Sequence, residues 1–202
     1  MTTDRVIEYF YSAHSAYAYL GAQQLTQISR DAGLRIEHRP FDFSPVMQAT
    51  GAPAFANRSA AHIDYFFGRE LARWAQWRGL KMIRHRPTHH DNPLALANGM
   101  IIASDDPDPL SFAILQAHWR DDADIADPAT LTALACACGQ NGAHLLEAAQ
   151  SDTVQARHDA NTQEAIRRNI FGSPTYFLDG DMFYGQDRLE MLAHAVKQPF
   201  FC

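Results

Sequence analysis

Residues 171–190 read Phe-Gly-Ser-Pro-Thr-Tyr-Phe-Leu-Asp-Gly-Asp-Met-Phe-Tyr-Gly-Gln-Asp-Arg-Leu-Glu. A Gly-x-Pro-Thr turn feeds a short strand from Tyr176 to Leu178. Asp179-Gly180 is a two-residue hairpin signal, because the favoured turn needs a positive φ at both positions. A second strand runs from Met182 to Tyr184, and Gly185-Gln186-Asp187 then opens a helix. The order is proline, strand, hairpin, strand, helix.

The other end of the chain supplies a matching unit. Val6 to Tyr11 is apolar and aromatic, the pattern of a buried strand. Ser12-Ala13-His14-Ser15 forms a turn. A helix follows from Ala16 to Ala32, with Tyr17, Gly21, Leu25 and Ile28 on one stripe and Gly33 as its stop. Arg35 to Phe43 reads as a second strand, parallel to the first through a right-handed crossover. A β-α-β unit first and a β-β-α unit last are the two halves of a thioredoxin-type fold. In that fold the proline is cis, here Pro174, and the backbone of Ser173 faces a thiol compound. The residues alone also allow a trans-proline turn.

The block between the halves is helical. Ser59 caps a helix carrying Ile63, Phe67, Leu71 and Trp74 at helical spacing, and Gly79 ends it. Asp108-Pro109 and Asp127-Pro128 are capping pairs that open helices through Trp119 and up to Gly139. Ser151-Asp152 opens another helix through Asn169. The expected fold class is therefore α/β, a thioredoxin-like core (1–44 and 170–202) with a large all-helical insertion (45–169).

The chain has 202 residues, 47% of them hydrophobic and 20% charged, with a formal net charge of −6. An acidic balance without a basic cluster argues against nucleic acid as a partner. No apolar run approaches about 18 residues and no charged-then-apolar leader opens the chain. A soluble, cytoplasmic protein that engages no membrane is expected. Its three cysteines, Cys136, Cys138 and Cys202, are odd in number, which suits a reducing compartment. Cys136 and Cys138 read as ordinary buried helix residues and Cys202 as a mobile end. Phe66, Phe67, Trp74 and Trp77 read as packing of the helical core, with the alternative that one of them lines a hydrophobic substrate pocket.

Three places can carry chemistry. Ser15 sits where unpaired N–H groups and the positive end of the helix dipole converge, so a thiolate there is stabilised and a hydroxyl can donate to it. It could equally be a plain N-cap. No G-x-S-x-G elbow surrounds it, which argues against acyl transfer. Ser173 can pair with a peptide-like ligand in strand fashion if Pro174 is cis. Asp187 is either the capping acid of the last helix or the holder of a ligand ammonium group, with Gln186 beside it and Arg188 ready for a carboxylate. His85, His89, His90 and Asp91 match no standard zinc spacing. They read as a polar loop near a cleft, and no metal is expected.

These elements resemble those of the 2-hydroxychromene-2-carboxylate isomerases and the kappa-class glutathione transferases. Both are thioredoxin folds with a helical insertion, as in DsbA-type oxidoreductases. Phe10-Tyr11-Ser12-Ala13-His14-Ser15-Ala16-Tyr17-Ala18-Tyr19-Leu20-Gly21 is similar to their Phe-Tyr-Asp-x-x-Ser-Pro-Tyr-Ser-Tyr-Leu-Gly. Arg73-Trp74-Ala75 with Gly79-Leu80 is similar to their Arg-Trp-Ala helix. Residues 171–175 and 185–189 are similar to their Gly-x-Pro-Thr and Gly-x-Asp-Arg-Leu elements. The chain departs from the pattern at Ser12 for aspartate, Ala16 for proline and His62 for lysine, and one extra residue separates Tyr65 from Trp74.

The resemblance implies glutathione as cofactor. Ser15 would face its sulfur, Ser173 beside Pro174 its cysteinyl backbone, and Gln186 and Asp187 its γ-glutamyl end. Asn57 and His62 would add contacts, and Asn92 and Tyr65 would line the substrate cleft. A homodimer is implied likewise. The implied activity is glutathione-dependent cis-trans isomerisation of a conjugated aromatic carboxylate, by reversible thiolate addition. A kappa-like transferase or peroxidase, and a binding module without activity, are the alternatives. The lack of a cysteine near Ser15 argues against thiol-disulfide exchange.

Overall fold

A computed structural model describes residues 5–51 and 57–200. Strands β1 (Val6–Tyr11), β2 (Arg35–Pro40), β3 (Thr175–Leu178) and β4 (Asp181–Tyr184) form one mixed sheet in the order β2-β1-β3-β4. β1 is parallel to β2, with Val6 opposite Arg35, and antiparallel to β3, with Ile7 opposite Leu178. β3 and β4 form the expected hairpin. Asp179 and Gly180 at its tip have φ of 53° and 88°, as that turn requires.

Successive β1 side chains point to opposite faces, so the sheet is cored on both. Ile7, Tyr9 and Tyr11 enter the larger core with Tyr19, Leu20 and Leu25 of α1 (Ala16–Ala32). Tyr9 stacks on Tyr11 with ring centroids 3.9 Å apart, and on Tyr176 at 5.3 Å. Phe10 enters a second core with Phe41, Val46, Ala165, Ile170 and Phe177. Full burial of one such Phe contributes about 1.5–3 kcal/mol, so the two-sided packing fixes which way β1 faces.

Between β2 and β3 the chain is helical. α2 is Phe43–Ala49. α3 (Ala60–Ile63) continues through a π-helical segment, Asp64–Glu70, into α4 (Leu71–Arg78). α5 (Ala95–Ala103), α6 (Pro107–Arg120), α7 (Pro128–Ala137), α8 (Gly142–Ala149) and α9 (Asp152–Arg167) follow. After β4 a 3₁₀ turn, Gln186–Arg188, leads into α10 (Leu189–Lys197). Ser59, Asp127 and Ser151 each cap their helix by accepting a backbone N–H, as their sequence positions suggest. Among the described residues no helix is long and apolar enough to cross a membrane.

Several expectations are corrected. β2 stops at Pro40 rather than Phe43, because Asp42 caps α2 by accepting the Ser44 amide at 3.2 Å. α6 begins at Pro107, not at Pro109. Two Asp-Pro pairs stand in tandem and the first starts the helix, leaving Asp108 free to bond His38 Nε2 at 2.6 Å. Trp77 is 79% exposed and Phe66 42% exposed, so neither packs the core, whereas Trp74 and Phe67 do. Cys136 is exposed and Cys138 half-buried at the end of α7. Cys202 lies outside the described residues.

Candidate active site

Two serines meet where the halves of the fold join. Ser15 caps α1: its Oγ accepts the Ala18 N–H at 3.2 Å and donates to the Ser173 carbonyl at 3.1 Å. The Ser173–Pro174 bond is cis. Ser173 Oγ in turn accepts the Ser12 amide at 3.0 Å. The β1–α1 turn and the proline turn are thus pinned by both ends of one residue. The amides of Ala16 and Tyr17 are first-turn donors that no helical carbonyl can reach, so the ground above Ser15 favours an anion.

The second wall comes from the end of β4. The Gly185 amide donates to the Pro174 carbonyl at 2.9 Å, which sets Gln186 and Asp187 beside the proline turn. Gln186 is buried, and its Nε2 has no hydrogen-bond partner among the described residues. A buried, unpaired donor costs about 1–3 kcal/mol, so it is a natural point for a ligand acceptor. Asp187 does not cap: Gly185 precedes the 3₁₀ turn with φ 97°, and the Asp187 side chain pairs with Arg188 at 2.5 Å. Tyr17, whose hydroxyl donates to the Phe66 carbonyl at 2.8 Å, has its pKa raised by burial, with Glu70, Tyr184, Asp187 and Tyr65 adding to the rise. These groups therefore surround one region. His62 packs on Phe66 at 4.5 Å and its Nε2 lies 3.4 Å from Arg58. Asn57 is exposed in the turn before α3.

The third wall is a run of imidazoles. His14, directly before Ser15, holds Ser12 Oγ at 2.9 Å through Nδ1 and packs on His90 at 4.6 Å. His90 Nδ1 lies 2.9 Å from His118 Nε2. Burial pushes all three down, His14 to about 3 and the other two to about 4; for His14 and His90 the neighbouring imidazoles and Arg86 reinforce it. All three are neutral at pH 7. Trp119 Nε1 bonds the His14 carbonyl at 2.8 Å, fixing the turn from α6. Asn92 is tied to Asp124 at 2.9 Å on this same side. No group of three or more His, Cys, Asp or Glu among the described residues is placed to hold a metal ion.

Of the residues singled out in the sequence, Ser15 and Ser173 touch. Gln186 and Asp187 adjoin them through Gly185, and Tyr65 and Asp187 each lie near enough to Tyr17 to raise its pKa. Asn92 stands on the histidine wall. Arg78, which bonds Gln186, was not legible, nor was His118 as the partner of His90. Each lies far along the chain from its partner. His14 was visible only as a filler position of the Ser15 motif.

Known proteins agree with this architecture. A 2-hydroxychromene-2-carboxylate isomerase of Pseudomonas putida is 28% identical over 195 residues, which are 95% of this chain and 94% of that protein. Glutathione S-transferase kappa 1 of Homo sapiens is 25% identical over 220 residues, 96% of this chain and 92% of its own length. A solved structure of 2-hydroxychromene-2-carboxylate isomerase superposes with a TM-score of 0.82 at 26% identity, over 96% of this chain and 95% of that one. The pattern of the DSBA-like thioredoxin domain matches residues 6–197, from the start of β1 to the end of α10. On this match and this fold, the chain belongs to the DSBA-like thioredoxin domain family.

Proposed function

We propose that the protein is a glutathione-dependent isomerase of a conjugated aromatic carboxylate such as 2-hydroxychromene-2-carboxylate. The contact between Ser15 and Ser173 carries the reading. Glutathione, when bound, supplies a thiol whose sulfur adds reversibly to a conjugated carbon, so that the double bond can turn before it reforms. The helix terminus and the Ser15 hydroxyl hold that sulfur as thiolate, as they would hold a low-pKa cysteine. To do so Ser15 swings its proton from the Ser173 carbonyl to the sulfur. The freed Ser173 carbonyl, next to Pro174, then accepts an amide of the ligand in strand fashion.

The remaining roles follow position. Gln186 Nε2, buried and unpaired among the described residues, and the Asp187 carboxylate suit a γ-glutamyl end with its carboxylate and ammonium. Asn57 and His62 add contacts from the turn before α3 and from α3 itself. Tyr65 and Asn92 face the aromatic substrate from opposite walls. Support comes from the isomerase relatives, which share nearly the whole chain. A cytoplasmic homodimer is part of the proposal.

The kappa transferase relative supports a second reading, in which the thioether leaves as product. Calorimetric titration with reduced glutathione, wild type beside Asp187→Ala, tests the shared site. Saturable binding weakened by the substitution is expected; no binding in the wild type overturns both readings. Assay of glutathione after turnover separates them, since an isomerase returns it and a transferase consumes it.

A further inference from the structure

The histidine wall has a direction. His118 Nδ1 faces the Ala123 carbonyl at 3.5 Å. A carbonyl only accepts, so this nitrogen carries the ring proton. His118 Nε2 is then bare and accepts from His90 Nδ1–H, 2.9 Å away. His90 is neutral, so its own Nε2 is left bare. That atom has no hydrogen-bond partner among the described residues, and its ring is only partly buried. His14 backs the ring and ties it to the Ser15 turn through Ser12. Arg86 stands close enough to influence both imidazoles; it is exposed and paired with Asp91, itself 80% exposed on its side chain.

We propose that His90 and Arg86 determine substrate specificity: the bare Nε2 accepts a hydrogen bond from a ring hydroxyl, and Arg86 exchanges Asp91 for the substrate carboxylate. The choice of an aromatic hydroxy acid rests on the isomerase reading; the two roles rest on the proton order of the imidazoles and on the loop that carries them. An acceptor held in this way rejects a methyl ether, which brings no proton and would leave the nitrogen unpaired.

The test uses protein without glutathione and three probes: 2-hydroxycinnamate, 2-methoxycinnamate and cinnamate. In calorimetry the hydroxy acid binds about five- to tenfold more tightly than the methoxy acid. His90→Phe abolishes that preference, and Arg86→Ala weakens all three probes alike. In ¹⁵N spectra of the wild-type imidazoles, His90 Nε2 is the unprotonated nitrogen and shifts only with the hydroxylated probe. A preference that survives in folded His90→Phe overturns the proposal, as does a wild type that shows no preference or no binding. If His90→Phe does not fold, the spectra decide: a protonated His90 Nε2 overturns it, and a bare one that shifts supports it. A wild type that ignores glutathione yet prefers the hydroxy acid would overturn the isomerase reading and leave these two roles standing.

Discussion

Arg78 holds Gln186 by the side-chain carbonyl, with Nη2 and Nε 3.1 and 3.3 Å from Oε1. Its guanidinium lies over Trp74, 5.3 Å from the ring centroid. A cation fixes which end of the amide it meets, so the NH₂ group must be the end turned away. Arg78→Met keeps much of the stem packing and removes that control. Glutathione affinity is expected to fall about tenfold, with secondary structure unchanged. Equal affinity in calorimetry would mean that Gln186 needs no orienting.

Gly21 lets α1 lie directly against the turn after β4. A Cβ there would meet Gln186 Cβ at 2.8 Å, the Tyr176 hydroxyl at 2.9 Å and Leu189 Cδ1 at 3.2 Å. Gly21→Ala should therefore destabilise by about 1–3 kcal/mol despite alanine's better helix propensity. It should also weaken glutathione binding, because Gln186 is what must move. Denaturant unfolding together with calorimetry checks both; a more stable variant would show that the turn yields freely.

Asp122 pins the loop that carries His90. Its carboxylate accepts the Thr88 amide and hydroxyl, both at 2.7 Å, and meets His85 at 3.3 Å. Bonds from Thr88, then from His85, hold its pKa down at about 2. In Asp122→Ala, hydrogen exchange at the Thr88 amide should accelerate several-fold. KM for the aromatic acid should rise while glutathione affinity stays the same. Unchanged exchange would show that the loop is held elsewhere.

The buried His118 and the half-buried His14 and His90 make stability depend on pH. Unfolded histidines gain protons below about pH 6.5, whereas His90 and His118 wait until about 4 and His14 until about 3. Between those values the unfolded chain binds more protons, so stability is complete above pH 6.5 and declines as pH falls. By pH 5 the loss should be of order 1 kcal/mol for each imidazole. Arg86 and the His89 imidazole work with burial in this; Asp91, Asp122 and Asp124 oppose it. Denaturation midpoints at pH 7 and pH 5 measure the slope, and His14→Leu should flatten it. A midpoint equally high at both values would mean that the rings protonate as readily folded as unfolded.

Much of the fold could be read because its signals are local. Ser15, Ser59, Asp127 and Ser151 cap the helices that their neighbours begin, and Asp179-Gly180 turns the hairpin without help from elsewhere. Where two local signals competed, the reading slipped: Asp106-Pro107 outran Asp108-Pro109, and Asp42 cut β2 short. The meeting of Ser15 with 173–187 was legible because it rests on motifs. It was not legible where it depends on packing between distant segments. Nothing in the spacing of His14, His90 and His118 announces that two turns and α6 bring them into line. Trp77 looked like core by composition alone, and only the packing of α4 turned it outward.

The π-helical segment Asp64–Glu70 would accommodate the extra residue that the family resemblance implies here. Adding a residue to an α-helix turns everything beyond it by about 100°, which here would swing Leu71 and Ala75 out of the core they occupy. A wider turn absorbs the addition locally. The extra residue between Tyr65 and Trp74 can thus be taken up with the far half of the helix still seated and the rim at Tyr65 and Phe66 re-aimed. One added codon re-aims an exposed rim and leaves the buried half of the helix in phase.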